Sequence, residues 1–324
     1  MGLFIQGTGL SVLQTASNPY IVILGPVESA AKRISIMGIC NKVAGAIAPI
    51  ALGAIALKDV DGLKERLLTM AAAQKILELN ELASRVIMPY IIIIVVLLAL
   101  TIFIYFSGLP EIESTEDDAV VDGITAKTSV FQFPHLLLGV LALFLYVGVE
   151  VMAGDTIISY GSSQGIPLST AKFFTTFTLI GMTIGYIVGI ICIPKYFKQE
   201  AALKVSAFFG AVFTVAAVFT TGYTSVFFIA MLGLANSLMW PAIWPMAITG
   251  LGKFTKIGAS FMIMAISGGA ILPLIYGRLA DAVSPRLAYW LLVPCYLFIL
   301  YYALSGHKAG LNKGKVNDVL VPAE

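Results

Sequence analysis

Nine stretches of the chain are long and apolar enough to cross a lipid bilayer, and this removes most folds from consideration. They run over residues 1–24, 34–57, 87–106, 134–153, 169–193, 202–221, 224–248, 257–280 and 286–304. A span needs about 20 mostly apolar residues to cover a hydrocarbon core about 30 Å thick. No water inside lipid satisfies a backbone N–H or C=O, so each span must close its own hydrogen bonds as an α-helix. The reading is an all-α polytopic membrane protein with nine transmembrane helices. Composition agrees. Of 324 residues, 59% are hydrophobic and 12% charged, and the mean hydropathy is +0.93. An ordinary soluble domain carries about 25% charged residues.

The same numbers exclude other classes. A net charge of +2, with the basic residues scattered among loops, gives no footprint for nucleic acid. Cys40, Cys192 and Cys295 all sit in apolar runs without metal or disulfide spacing, so they read as small apolar fillers. His135 and His307 fall near the ends of apolar runs, where interfacial packing is expected. There is no nucleotide-binding glycine loop, no metal-ligand spacing and no serine set with histidine and acid. The expectation is a protein that is not an enzyme and uses no cofactor or metal.

Two connections are long. Residues 58–86 hold ten charged residues, and Leu63, Leu67, Met70, Leu77 and Leu82 recur at roughly helical spacing. That pattern predicts an amphipathic helix on the membrane surface. Residues 107–133 are acidic and poor in large apolar side chains, which predicts a flexible linker. Basic residues set the orientation. Lys32, Arg33, Lys127, Lys195, Lys198, Lys204, Lys253, Lys256, Lys308, Lys313 and Lys315 fall on one side. Arg278, Arg286 and the five basic residues of 58–86 fall on the other. The first side, with the C-terminus, is read as cytoplasmic.

An internal repeat gives the organisation. "GAIAPIALG" at 45–53 matches "GAILPLIYG" at 269–277 at Gly45/Gly269, Ala46/Ala270, Ile47/Ile271, Pro49/Pro273 and Gly53/Gly277. Lys32 and Lys256 each stand 13 residues upstream of the repeat. Duplicated halves are a habit of transporters. One span follows each copy, and three spans precede the second copy within its half. Symmetry therefore places three further helices ahead of Met1 in a twelve-helix parent. On that reading residues 1–106 are the last three helices of the first bundle (helices 4–6). Residues 107–133 form a cytoplasmic linker, 134–305 the complete second six-helix bundle (helices 7–12), and 306–324 a cytoplasmic tail.

Polar residues at membrane depth are costly and are functional candidates by default. Glu150 lies late in its span, and that span carries no basic residue. A carboxyl in a low-dielectric cavity can hold a proton and release it elsewhere, the chemistry that proton coupling needs. Lys42, beside Asn41, either snorkels to the cytoplasmic surface or faces the bundle as a second coupling candidate. Gln14, Asn18 and Asn41 suit a hydroxyl-rich ligand, because an amide both donates and accepts. Trp240 and Trp244 can stack on a sugar ring or simply pack in the core. Asn236 shares a helix face with Trp240. Gly181, Gly185 and Gly189, four apart, read as close helix packing. Pro19, Pro241 and Pro245 can bend or gate a helix.

"GLSVLQTASNPYIVILGP", "SIMGICNKVAGAIAP", "FLYVGVEV" and "LANSLMWPAIWPMAITGLGKFTKIGASFMIMAISGGAILPLIYG" together resemble the fucose–galactose–glucose:proton symporter family of the major facilitator superfamily, most of all its bacterial glucose/galactose transporters. The resemblance covers essentially the whole chain, from the family's fourth helix to its twelfth. It implies the major facilitator fold lacking its first three helices, in a bacterial inner membrane. It also implies symport of a hexose with a proton, or with sodium, by alternating access. The family's helix-four pattern L-[EQ]-T-A-x-N-P falls on Leu13 to Pro19, with Gln14 where the fucose members carry a coupling glutamate. Its helix-five asparagine falls on Asn41, and its sugar-contacting aromatic before a proline falls on Trp240. Glu150 stands where the fucose members tend to have glutamine, so the acidic character is read as moved between bundles. Two features depart from the pattern. The family's helix-one aspartate has no counterpart, and Tyr186 replaces an arginine that ends helix eight. The first departure sets a second expectation beside the first: a non-transporting fragment or membrane scaffold.

Overall fold

The computed structural model describes residues 1–56, 70–108, 128–171 and 173–311. All regular structure among them is helical. The first helices are α1 (Gly2–Ile23), α2 (Ala30–Ala56), α3 (Ala72–Ser84) and α4 (Ile87–Phe106). Next come α5 (Pro134–Asp155), α6 (Ile157–Ser163), α7 (Leu168–Ala171), α8 (Phe174–Cys192) and α9 (Gln199–Phe219). The last are α10 (Gly222–Asn236), α11 (Met239–Ile248), α12 (Thr255–Met264), α13 (Gly268–Ala282), α14 (Pro285–Ala288) and α15 (Leu292–Leu304).

Each of the nine expected spans holds helix. Among the described residues, seven segments are long and apolar enough to cross a membrane: Ile87–Phe106, Pro134–Asp155, Phe174–Cys192, Gln199–Phe219, Gly222–Ile248, Gly252–Ala282 and Pro285–Leu304. α1 has the length, at 22 residues, but carries Gln6, Gln14, Asn18 and several hydroxyls. The span read as 224–248 is two helices. α10 stops at Asn236 and α11 starts at Met239. Pro241 has no N–H to give to the carbonyl of Ser237, so the hydrogen-bond ladder fails there. α3 supplies part of the amphipathic helix expected in 58–86; residues 57–69 lie outside the described set, as do 109–127 of the expected linker and 312–324 of the tail.

Contacts divide the chain into two compact units, Met1–Ile39 with Ser114–Glu324, and Cys40–Glu113. The first is built around α5, which packs on α10, α11, α13 and α15. Its buried positions include Leu136, Gly139, Leu143, Tyr146 and Val147, a run at helical spacing. In the second unit α4 leaves its Ile, Val and Leu side chains largely exposed, the surface that lipid requires.

Glycine sets how closely helices approach. A Cβ on Gly181 would stand 3.1 Å from the backbone nitrogen of Leu234, and Cβ atoms on Gly185 and Gly189 would collide with Ser237 and Leu238. The four-residue glycine spacing on α8 is thus the packing face for α10 and the break after it. Gly233 answers from α10, where a Cβ would run into the carbonyl of Thr178.

Arg33 ties the end of α1 to the turn that leads into α2. Its guanidinium donates to the carbonyls of Ile21 (2.8 Å), Val22 (2.6 Å), Gly25 (3.2 Å) and Pro26 (3.0 Å) and to Ser29 Oγ (2.6 Å). A helix C-terminus leaves orphan carbonyls, and one cation here satisfies those of α1. Ala31, Ile193, Ala202 and Leu238 form a small apolar cluster beside it.

At one end of the unit the last described residues strap across α5 and α9. The His135 N–H donates to the Ala309 carbonyl at 3.2 Å, and His135 Nε2 lies 3.0 Å from the Thr249 carbonyl. The buried Glu200 carboxylate lies 3.4 Å from His307 Nε2 and 3.7 Å from both Lys204 Nζ and Lys308 Nζ. Both histidines, expected to be interfacial packing, are buried members of this strap.

Two substitutions test the packing. Gly233→Ala is expected to cost about 1–3 kcal/mol through overpacking, whereas Gly277→Ala, with open space around it, should be neutral or slightly stabilising. Thermal unfolding of the detergent-solubilised protein reads both. Arg33→Lys keeps the charge but loses the planar fork, and the same assay should show a drop in midpoint.

Candidate functional site

The sequence-predicted residues of the second bundle converge on the break between α10 and α11. Asn236, the last residue of α10, is fully buried. Its Oδ1 accepts from the Tyr296 hydroxyl at 2.8 Å, and its Nδ2 has no hydrogen-bond partner among the described residues. One turn on, Trp240 stacks on Trp244 with ring centroids 5.4 Å apart and planes 24° apart. Trp240 is partly exposed, while Trp244 is sealed in the core with its indole Nε1 likewise unpartnered. The face formed by residues 236, 240 and 244 is therefore an aromatic pair flanked by two buried donors without acceptors.

Tyr146 on α5 links this face to the acid. Its ring centroid is 6.4 Å from that of Trp240, and its hydroxyl lies close to Glu150, one turn along the same helix. A second hydroxyl, that of Tyr186 on α8, lies close to Tyr146. Tyr186 takes its place because α2 offers a glycine: a Cβ on Gly38 would lie 2.8 Å from the tyrosine Cζ.

The α1 residues are placed differently. α1 packs against α12. Asn18 is buried, and its Nδ2 donates to the Gln14 carbonyl at 3.0 Å, reinforcing the turn just before Pro19. The expected open amide pair is thus half used up within the helix. Gln14 Oε1 is buried without a partner among the described residues. Asn41 and Lys42 belong to the other compact unit, where Asn41 is exposed. Among the described residues no group of three or more His, Cys, Asp or Glu side chains is placed to hold a metal.

Similarity agrees with this architecture. The chain is 32% identical over 310 residues to a glucose/galactose transporter of Brucella abortus, covering 95% of this chain and 71% of that protein. The chain belongs to the fucose–galactose–glucose:proton symporter family. An L-fucose-proton symporter of Escherichia coli is 29% identical over 288 residues, 87% of this chain and 65% of that protein. A crystal structure of the major facilitator superfamily transporter FucP in the outward conformation superimposes with a TM-score of 0.82 at 27% identity, covering 93% of this chain and 74% of that one. No family model matches the chain. The protein is thus a multi-pass membrane protein with the major facilitator fold.

Tyr146 and Tyr296 were not singled out from the sequence. The available signal was a tyrosine inside an apolar run, since a buried phenol hydroxyl usually finds a polar partner. For Gln14 the orphan acceptor gives a test. Gln14→Met is expected to leave thermal stability unchanged or slightly raised, because removing an unpaired buried polar atom relieves a desolvation cost. Asn18→Leu, which deletes a made hydrogen bond, should lower stability by about 1 kcal/mol. Unfolding midpoints of the two purified variants distinguish these outcomes.

Proposed function

We propose that the protein is a secondary active transporter that carries a hexose of the glucose, galactose or fucose type together with a proton, by alternating access between two helical bundles. The observation that carries this reading is Tyr146, whose ring lies beside Trp240 and whose hydroxyl lies close to Glu150. One side chain thereby joins an aromatic sugar platform to a carboxyl at membrane depth. The relatives, a glucose/galactose transporter and an L-fucose-proton symporter, support the substrate class and the coupling ion.

In this reading Trp240 lies against the apolar face of the sugar. Asn236, Gln14 and Asn18 supply hydrogen bonds to its hydroxyls. Glu150 carries the coupling proton. Gln14 hydrogen-bonds the sugar but has no proton to exchange, so the second bundle holds the acid. Lys42 is the other candidate for tuning that charge. The work is binding and translocation rather than covalent chemistry. We place the protein in the bacterial inner membrane with its C-terminus in the cytoplasm, on the strength of the basic residues on that side. Residues 1–106 then belong to the first bundle and 134–305 to the second.

The test is uptake of radiolabelled galactose, glucose and fucose into proteoliposomes with and without an imposed pH gradient. Wild type should accumulate hexose only with the gradient. Glu150→Gln should abolish accumulation while sparing equilibrative exchange. Retained gradient-driven accumulation by that variant would sink the assignment of Glu150, and sodium-driven uptake in its place would sink proton coupling.

A further inference from the structure

A fully buried amide at a helix break is expected to use both of its arms, and Asn236 uses one. Its Oδ1 is held by Tyr296, while Nδ2 is shut off from solvent with no acceptor among the described residues. An unpaired buried donor is costly and calls for an explanation. The residue that fixes it comes from far away. Tyr296 stands on α15, 60 positions along the chain, and is itself fully buried. Its ring occupies a slot that exists because α9 carries Gly210 at that level; a Cβ there would collide with ring atoms Cδ1 and Cε1. Three helices are thus arranged around one amide: α10 carries it, α15 aims it and α9 makes room for the aiming ring.

We propose that Tyr296 is a positioning residue for sugar recognition. By donating to Oδ1 it fixes the amide plane and presents Nδ2 as a committed donor to one hydroxyl oxygen of the hexose. The inference rests on the hexose-carrier reading above. Nδ2 is sealed in this conformation, so the sugar reaches it when the α10–α11 break opens. That break lies at the two residues immediately after Asn236. Without the Tyr296 hydroxyl the amide can rotate, and neither the donor nor its direction is defined. A site built to hydrogen-bond one hydroxyl rejects the analogue that lacks it, because the site's own group is then left unpaired.

The experiment is hexose binding to the purified full chain in detergent, by calorimetry, with galactose, glucose and the monodeoxy analogues of each. Tyr296→Phe should weaken binding of the parent hexose about tenfold, the worth of one directed hydrogen bond. For the one deoxy analogue that lacks the contacted hydroxyl, wild type and variant should bind equally. Asn236→Ala should show the same analogue pattern, and the double variant should be no weaker than Asn236→Ala alone, because the two residues act as a unit. Gly210→Ala, which displaces the ring but leaves the hydroxyl present, is the second route if Tyr296→Phe does not fold. It should reproduce the same selective loss. A uniform loss across all analogues, or none, overturns the positioning role while leaving the carrier reading intact. A wild-type protein that binds no hexose overturns the carrier reading and the inference with it.

Discussion

In lipid there is no hydrophobic force to drive one helix against another, so the fold depends on close van der Waals contact between helix backbones. The contact between α8 and α10 meets that demand. Gly181, Gly185 and Gly189 on one side and Gly233 on the other let main chain approach main chain, with carbonyls and amides where side chains would ordinarily stand. The site follows from this contact. The glycines of α8 bear on Leu234, Ser237 and Leu238, the residues on either side of Asn236 and of the break. The same helix carries Tyr186 to the Tyr146 hydroxyl.

A second consequence concerns polar groups. Several buried hydroxyls in this unit are hydrogen-bonded. Thr156 meets Tyr289 at 2.6 Å, and Tyr160 meets Ser225. Asn236 Nδ2, Trp244 Nε1 and Gln14 Oε1 have no partner among the described residues, nor do Gln199 Oε1 and the Tyr302 hydroxyl. A carrier visits several conformations, and groups that recognise cargo in one of them have to tolerate isolation in another. Isolation is affordable only where neighbouring contacts over-determine the geometry, as Gly210 and Tyr296 do around Asn236.

Much of the architecture was legible in the residues. The helical spans follow from the length of apolar runs, and the glycine stripe was correctly read as packing. Pro241 marked a bend that became an outright break between Asn236 and Met239. The site was less legible. Gln14 and Asn18 share a face as their spacing requires, yet Asn18 turns its amide back to the Gln14 carbonyl. That competition between a local backbone bond and an outward one is not decided by spacing. Arg33 counted in the sequence as one more basic loop residue; in the structure it closes the end of α1 with five hydrogen bonds.

The sequence by itself determined that the protein is helical and membrane-embedded, and which few polar residues lie at membrane depth. A hydrocarbon solvent leaves the backbone almost no other choice. Only the tertiary structure decided how those polar residues pair. The Tyr146 ring of α5 meets Trp240 of α11, and Tyr296 reaches Asn236 from 60 residues away. Hydrogen bonds between different helices depend on how closely and at what angle those helices cross. That is fixed by the meeting of glycine, proline and ring surfaces, and no periodicity within a single helix contains it.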